Sequence, residues 1–380
     1  MRVENGIERT EEIKKSLQGA RVGLVTTPAG VNRNLTHSID VLLGLCDLRV
    51  LFSPEHGIRG DKAAGAGVED TVDSRTGIIA YSIYGGENRP TADMLDKIDA
   101  VVFDVFDVGC RCYTFISTLR NIMEECARHA KRLVVLDRVN PIGGHAVEGN
   151  ILDMRFSSFV GSAPIPPRHG MTVGELALFF RGECDIACDL DIVRISGWNR
   201  DRYFDECGLI WIYPSPNIPT CDTAVLYPGI SLFEGANLSE GRGSAKPFEI
   251  VGAPWLDAYE AAERLNELDL SGVTFRPVFF EPNSSKHAGA LCQGVQIHVT
   301  DRRSFAPVAT GVRTLFTLKD LSGDHFEWLP SASEKDAYFI DLLAGTDAFR
   351  DPALSVDDML RGWQSDAASF ARLREKYLLY

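Results

Sequence analysis

The chain has no glycine-rich nucleotide motif. A single glycine, Gly30, follows its first predicted strand, where dinucleotide-binding proteins carry Gly-x-Gly-x-x-Gly. It also lacks the Gly-x-x-x-x-Gly-Lys-Ser/Thr sequence of a phosphate-binding P-loop. We therefore expect no cofactor, although strands and helices alternate as they do in nucleotide-binding α/β proteins.

Long apolar runs and basic runs are also absent. No apolar segment approaches the roughly 20 residues that cross a bilayer, and the first nine residues lack the apolar core of a signal peptide. We expect a cytoplasmic protein, or an exported one whose leader is missing from this sequence. The formal net charge of −14 argues against nucleic acid or an anionic membrane as partner. An anionic substrate would need local arginines.

The cysteines do not form a metal-binding pattern. There are nine, an odd number, and several lie in apolar surroundings, which favours reduced thiols. Cys110 and Cys112, like Cys184 and Cys188, lack a second pair at zinc-ribbon spacing. We expect no structural metal.

With 380 residues the chain is long enough for two domains, which we place at 1–224 and 225–380. The first predicts an α/β fold with a doubly wound, mostly parallel sheet, because near-continuous Val/Ile/Leu runs alternate with helical patterns. The predicted strands are Arg21–Thr27, Arg49–Phe52, Ala100–Asp104, Arg132–Asp137 and Asp191–Ile195, and the helices are Asp93–Ile98, Tyr113–Ala130 and Val173–Arg181. Thr172 and Glu175 form a capping box for the last helix.

The second, smaller domain is predicted to be α+β, because its strands and helices alternate less strictly. The stretch from Trp211 to Pro254 is rich in proline, glycine and aromatic residues. We interpret it as an ordered irregular crossing that lines a cleft. After it we predict helices Ala258–Leu268, Val308–Leu318 and Asp357–Tyr377, and strands Thr274–Glu281 and Gly294–Val299.

Glu55 and His56 follow the second predicted strand, at the edge of a parallel sheet where ligands gather. A glutamate partly withdrawn from water can carry a proton near neutral pH and act as a general acid. The alternative is structural, with Glu55 capping the next turn and His56 pairing with a carboxylate.

Other polar residues follow later strands. Arg111 would lie at the mouth of the crevice and bind a carboxylate, or clamp Asp104 or Asp107 instead. Tyr113 could stack on a sugar face. Asp137 and Asn140 are expected at the same level as Glu55, while His169 near a helix N-terminus is a donor or a packing group.

Two further segments suit carbohydrate. Trp211 to Asn217 offers aromatic surface beside an amide, as sugars require. The glycine-rich loop from Glu234 to Gly243 carries Asn237, Glu240 and Arg242, which packing alone does not explain. A surface loop with internal ion pairs is the alternative.

Seven motifs in order resemble the exo-β-N-acetylmuramidase family, from about Gly6 to the C-terminus. They are Phe-Ser-Pro-Glu-His-Gly at 52–57, Gly-x-Arg-x-Tyr-Thr at 109–114, Asp-Arg-x-Asn-Pro-x-Gly-Gly at 137–144, His-Gly-Met-Thr at 169–172, Pro-Ser-Pro-Asn at 214–217, Ser-Glu-Gly-Arg-Gly at 239–243 and Gly-Ala-Pro-Trp at 252–255. Two features depart from the family pattern: Val139 replaces the usual proline, and cysteines flank Arg111.

The resemblance implies a Rossmann-like domain, a smaller C-terminal domain and a cleft between them. It also implies release of N-acetylmuramic acid from the non-reducing end of bacterial peptidoglycan fragments, with Glu55 as the catalytic glutamate. We expect His56 to position Glu55 and Glu240 to be a second carboxylate. The lactyl carboxylate of the substrate needs a cation, for which Arg111 ranks before Arg59 and Arg242.

Two other functions stay open at this point. A non-catalytic cell-wall sugar-binding protein would use the same aromatic residues and Arg111. A metal-dependent hydrolase would use Glu55, His56, His145 and His169. The sequence does not determine the oligomeric state or the stereochemistry of hydrolysis.

Overall fold

The computed structural model describes residues 2–55, 57–58, 70–332 and 334–380. Its main sheet has seven strands in the order β3-β4-β2-β1-β5-β6-β7, and a second sheet has three in the order β8-β10-β9. The strands are β1 (Arg21–Thr26), β2 (Asp47–Ser53), β3 (Thr71–Val72), β4 (Ile79–Ser82), β5 (Ala100–Asp104), β6 (Arg132–Leu136), β7 (Asp189–Val193), β8 (Ile250–Ala253), β9 (Val273–Phe280) and β10 (Cys292–Val299).

Ten α-helices cover or connect these sheets in the described residues. They are α1 (Thr10–Ser16), α2 (Ser38–Leu43), α3 (Ala92–Leu95), α4 (Phe115–Arg128), α5 (Val173–Glu183), α6 (Cys221–Ile230), α7 (Ala258–Asn266), α8 (Pro307–Ser322), α9 (Phe339–Ala344) and α10 (Val356–Arg374). None of the described helices is long and apolar enough to span a membrane.

The main sheet confirms the predicted α/β class. Strands β1, β2, β4, β5, β6 and β7 pair in parallel, and only β3 is antiparallel to its neighbour β4. All five residues of β5 are buried, as expected for a strand covered by helices on both faces. The chain first adds strands on one side of β1 and then continues with β5 on the other. This reversal is the kind of position where α/β sheets bind ligands.

The smaller sheet also agrees with the predicted α+β C-terminal part. Its three strands are antiparallel, and α7 packs against β9 and β10. Phe275 and Ile297, paired across β9 and β10, are both 3% exposed. Their burial shows that one face of this sheet forms a core.

The stretch from Trp211 to Pro254 is more regular than predicted, because α6 lies inside it. Pro228 lies inside α6, in its last turn, where the missing N–H removes one helical hydrogen bond close to the end of the helix. Gly229 lets α6 approach α8 closely, since a Cβ there would lie 1.9 Å from the carbonyl oxygen of Pro307. The glycine that predicts a loop from sequence thus supports a tightly packed helix.

The start of α5 confirms the predicted capping box. The Thr172 hydroxyl accepts from the Glu175 N–H at 3.3 Å, and the Glu175 carboxylate accepts from the Thr172 N–H at 3.0 Å. The short strands β3 and β4 were not predicted, because two and four residues give too little periodicity.

Candidate active site

A cleft of about 1230 Å³ opens beyond the carboxyl ends of β2 and β4. Residues from both halves of the chain line it. They include Glu55, Tyr84, Tyr113, Thr114, Phe159, Ser215, Asn217, Tyr227, Glu234, Arg242, Phe248, Ser284 and Phe339. This volume is ample for a disaccharide-sized ligand.

Glu55 is placed in the cleft wall by the pairing of β2 with β4. Ser53 pairs with Ser82, so the residues two positions further along each chain, Glu55 and Tyr84, end side by side. The hydroxyl of Thr114, just before α4, donates to the Glu55 carboxylate at 2.9 Å. Burial raises the pKa of Tyr84 to about 12, and the charge of Glu55 and a hydrogen bond to it add to the rise.

A second carboxylate, that of Glu234, also lines the cleft and pairs with Arg242. The Arg242 Nη2 lies 3.0 Å from Glu234 Oε2, and its Nε lies 3.3 Å from Glu240 Oε1. Burial raises the pKa of Glu234, and the charge of Arg242 opposes that rise. Burial acts to lower the pKa of Arg242, but the charges of Glu234 and Glu240 outweigh it and raise the pKa.

Aromatic rings form the apolar part of the cleft wall. Tyr227 contacts Tyr113 edge to face at 5.8 Å between centroids and Phe248 at 4.8 Å. The Arg242 guanidinium lies over the Phe248 ring, 5.0 Å from its centroid. Rigid aromatic surface beside polar groups suits a sugar, whose C–H faces are apolar and whose hydroxyl groups need partners.

Four residues predicted for the site line this cleft: Glu55, Tyr113, Asn217 and Arg242. Two others, His56 and Arg59, lie outside the described residues. The remaining six take up other positions, and their partners explain why.

Arg111 is 1% exposed and does not lie at the mouth of the crevice. Its guanidinium donates to four main-chain carbonyls, those of Asn150 at 3.1 Å, Ile165 at 2.8 Å, Leu343 at 3.0 Å and Ala344 at 2.7 Å. It joins the loops after β6 to α9. Neither Asp104 nor Asp107 is its partner; Asp104 pairs with Arg138 at 2.7 Å.

Asp137, Asn140 and His169 are buried beneath the sheet edge rather than exposed in the cleft. Asp137 accepts from the Thr172 hydroxyl at 2.7 Å and from the Gly174 N–H at 2.8 Å, and burial raises its pKa to about 7. The Asn140 amide donates to the Met171 carbonyl at 3.0 Å. These contacts hold the start of α5 against the end of β6.

His169 is fully buried, and burial lowers its pKa to about 3. Its Nδ1 accepts from the Met171 N–H at 3.1 Å, and its Nε2 lies 3.9 Å from Asp107 Oδ2. His145 is 86% exposed in its side chain, so it does not meet His169. Among the described residues no three potential ligands gather at a metal-binding distance.

Glu240 and Asn237 belong to the loop below the cleft. The Glu240 side chain is 2% exposed and lies 2.8 Å from the Lys286 ammonium. Asn237 bonds the main chain of 325–327, donating to the His325 carbonyl at 2.8 Å and accepting from the Glu327 N–H at 3.1 Å. Both residues shape the loop that presents Glu234 and Arg242.

Sequence reasoning missed Tyr84, Ser215, Tyr227, Glu234 and Phe248 as site residues. A signal existed for Tyr84, because Gly85 and Gly86 follow it as turn residues after an apolar strand. For Glu234 the sequence was ambiguous, because the same loop carries two carboxylates, Glu234 and Glu240, and either could face the cleft. Only burial separates Glu234, with 20% of its side chain exposed, from Glu240 with 2%.

The protein has a mostly parallel α/β sheet and a smaller second sheet, and a carboxylate at a strand end faces a cleft. Aromatic residues and a second carboxylate line the same cleft. This fold and site are those of a glycosidase. Two family models match the chain: exo-beta-N-acetylmuramidase NamZ, N-terminal, over residues 22–222, and the C-terminal model over 225–380. The chain belongs to the exo-β-N-acetylmuramidase family.

Known relatives are similar to this chain over its whole length. The peptidoglycan beta-N-acetylmuramidase NamZ of Bacillus subtilis (strain 168) is 44% identical over 385 residues, covering 100% of this chain and 92% of that protein. Two crystal structures of DUF1343 family proteins from Bacteroides fragilis NCTC 9343 share the fold. One has a TM-score of 0.91 at 36% identity and the other 0.80 at 30%, each covering 100% of this chain and 99% of its own.

Proposed function

We propose that this chain hydrolyses the β-glycosidic bond of an N-acetylmuramic acid unit at the non-reducing end of a peptidoglycan fragment. Family membership and the named activity of the Bacillus relative support the reaction. The observation that carries the proposal is the position of Glu55, whose carboxylate lines the cleft and accepts the Thr114 hydroxyl at 2.9 Å.

In this proposal Glu55 gives its proton to the departing glycosidic oxygen. Thr114 and Tyr84 fix the orientation of the carboxyl group, so that the proton points into the cleft. We assign the second carboxylate to Glu234 rather than Glu240, because Glu234 lines the cleft and Glu240 is enclosed by Arg242 and Lys286. Glu234 then orients either the attacking water or the 2-acetamido group of the substrate acting as nucleophile.

The lactyl carboxylate of muramic acid needs a cation, and among the described residues that line the cleft Arg242 is the arginine that can supply it. It lines the cleft, whereas Arg111 is enclosed by main-chain carbonyls. Its two ion pairs use Nη2 and Nε, and a guanidinium carries five N–H donors. Donors therefore remain for a substrate carboxylate.

The test compares a chromogenic β-N-acetylmuramide with the matching β-N-acetylglucosaminide. We expect cleavage of the muramide only. Glu55→Gln should bind the muramide and release no product, while Glu124→Gln, a matched change at an ion pair on α4, should be fully active. Binding without turnover by the unchanged protein would favour a sugar-binding protein, and turnover by Glu55→Gln would remove Glu55 from the mechanism.

A cytoplasmic location belongs to the same proposal. All nine cysteines are free, as a reducing compartment requires. A substrate there would be a small peptidoglycan fragment of the kind that cell-wall recycling supplies. Fractionation of cells expressing the untagged chain would decide the location.

A further inference from the structure

The segment between β9 and β10, residues 281–291, lies against the loop that carries Glu234 and Arg242. The Asn283 N–H donates to the Gly243 carbonyl at 2.8 Å, and His287 Nε2 lies 2.6 Å from the Asn237 carbonyl oxygen. The fit is close, since a Cβ on Gly243 would lie 2.6 Å from the main-chain nitrogen of Ser284. Neither Lys286 nor its neighbours belongs to a motif noted in the sequence.

Lys286 holds that loop from within. Its ammonium donates to the carbonyls of Phe233 at 2.7 Å, Ala236 at 2.7 Å and Leu238 at 2.8 Å. It also lies 2.8 Å from Glu240 Oε2. The three carbonyls take the three N–H groups of this ammonium, and Glu240 lies beside it as an ion-pair partner; the lysine side chain is 19% exposed. An arrangement of this kind fixes a turn and neutralises a buried carboxylate.

The contacts continue as a chain of alternating charge that ends in the cleft. Lys286 lies 2.8 Å from Glu240, Glu240 lies 3.3 Å from Arg242, and Arg242 lies 3.0 Å from Glu234. Two cations and two anions balance one another. Only the last two members, Arg242 and Glu234, line the cleft.

We propose that Lys286 is a positioning residue for the muramidase reaction: by neutralising Glu240, it leaves Arg242 shared between Glu234 and the substrate. The inference rests on the proposed function and extends it to a residue outside the cleft lining. Without the Lys286 charge, Glu240 would draw Arg242 toward itself, and the group would carry one excess negative charge beside Glu234.

The charge of Glu234 is set by a defined set of neighbours. Arg242 and Glu240 act on it from the same loop, and Lys286 acts on it from the segment between β9 and β10. Tyr227 from α6 and Cys112 from the turn before α4 also face it, as their own electrostatic coupling to Glu234 shows. Arg242 and Lys286 are the two cationic side chains of this set, so Lys286 supplies half of its positive charge.

The experiment is the pH profile of kcat/KM on the chromogenic muramide. The acid limb is the fall of kcat/KM toward low pH. We assign this limb to the protonation of Glu234, so Glu234→Gln should remove it. Lys286→Met should move that limb to higher pH by about one unit, because a lost neighbouring cation favours the protonated acid. Glu240→Gln should move it to lower pH, and the Lys286→Met/Glu240→Gln double variant should restore the original limb.

Lys246→Met is the matched control, because Lys246 pairs with Glu249 at 2.7 Å, outside the chain of charges. It should keep the limb of the unchanged protein. If Lys286→Met does not fold, Glu240→Gln alone still tests the same chain of charges, because it keeps the lysine and its three carbonyl bonds. Unmoved limbs in Lys286→Met and Glu240→Gln would overturn the inference while the muramidase activity stood; no muramide cleavage by the unchanged protein would overturn the proposed function itself.

Discussion

The Thr114 hydroxyl donates a hydrogen bond of 2.9 Å to the carboxylate of Glu55. This bond joins the end of β2 to the turn that begins α4, across 59 positions of sequence. Thr114 belongs to the same motif as Arg111 and Tyr113. One turn therefore supplies the hydrogen-bond donor to Glu55, a buried arginine that binds main-chain carbonyls, and an aromatic ring of the cleft wall.

Thr114→Val should lower kcat on the muramide by roughly tenfold, because Glu55 loses the donor that orients it. KM should change little, since the methyl group keeps the shape of the wall. Thr118→Val is the control, because Thr118 donates to the Thr114 carbonyl on the same helix and does not reach Glu55. Equal kinetics for Thr114→Val and the unchanged protein would contradict a positioning role.

Arg242→Gln should raise KM for substrates that carry the lactyl carboxylate. A buried charge-assisted hydrogen bond is worth about 1.5 to 3 kcal/mol, so a rise of ten- to a hundredfold is expected. Inhibition by free N-acetylmuramic acid and by N-acetylglucosamine provides the comparison. Loss of affinity for the muramic acid alone would support the assignment, and equal loss for both sugars would contradict it.

Arg111→Met should destabilise the fold rather than weaken substrate binding. Removing the guanidinium leaves the buried carbonyls of Asn150 and Ile165 without a donor, which costs at least about 2 kcal/mol of unfolding free energy. The carbonyls of Leu343 and Ala344 keep the Cys112 thiol and the Asn150 amide as donors. Chemical denaturation measures this loss. Arg276→Met is the control, because that arginine makes a solvent-exposed hydrogen bond to the Gln296 side chain at 2.9 Å on the small sheet. If Arg111→Met has an unchanged denaturation midpoint and a raised KM, Arg111 binds substrate and its structural assignment is wrong.

His169 should make stability depend on pH in the acid range. Its pKa falls from 6.5 to about 3 in the fold because the ring is buried. The stabilisation is therefore complete above pH 6.5 and is lost as the pH falls toward 3. Asp107 lies 3.9 Å from His169 but does not stabilise the protonated ring between pH 6.5 and 3. Burial raises the pKa of Asp107 to about 7, so its carboxyl group is uncharged over this range.

His169→Asn should remove that dependence, since the amide oxygen can accept the Met171 N–H without titrating. The difference between the two proteins should reach several kcal/mol by pH 4, because each pKa unit corresponds to about 1.4 kcal/mol. Unfolding free energies at pH 7, 5.5 and 4 measure it. His145→Asn should behave as the unchanged protein, because His145 is exposed; parallel curves for His169→Asn would contradict the argument.

Much of the architecture was predictable from the sequence. Strand β5 has the predicted bounds, and β1 and β6 differ by one residue at the end, because runs such as 100–104 are apolar throughout. The α5 cap was predictable because Thr172 and Glu175 interact locally. The helix α6 was not, because its stability comes from close packing on α8 rather than from its own propensity. The domain boundary at residue 224 stays a prediction.

The sequence by itself determined the order of the strands along the chain, the family motifs and the position of Glu55 after β2. These depend on local periodicity and on residues that are neighbours in the chain. Only the tertiary structure decided which polar side chains reach the cleft. Arg111 and Arg242 are equally polar in sequence, as are Glu234 and Glu240, but each side chain's exposure depends on distant main-chain segments that enclose it. A carbonyl from α9 or an ammonium from residue 286 cannot be inferred from local pattern, because such contacts join segments that are far apart in the chain.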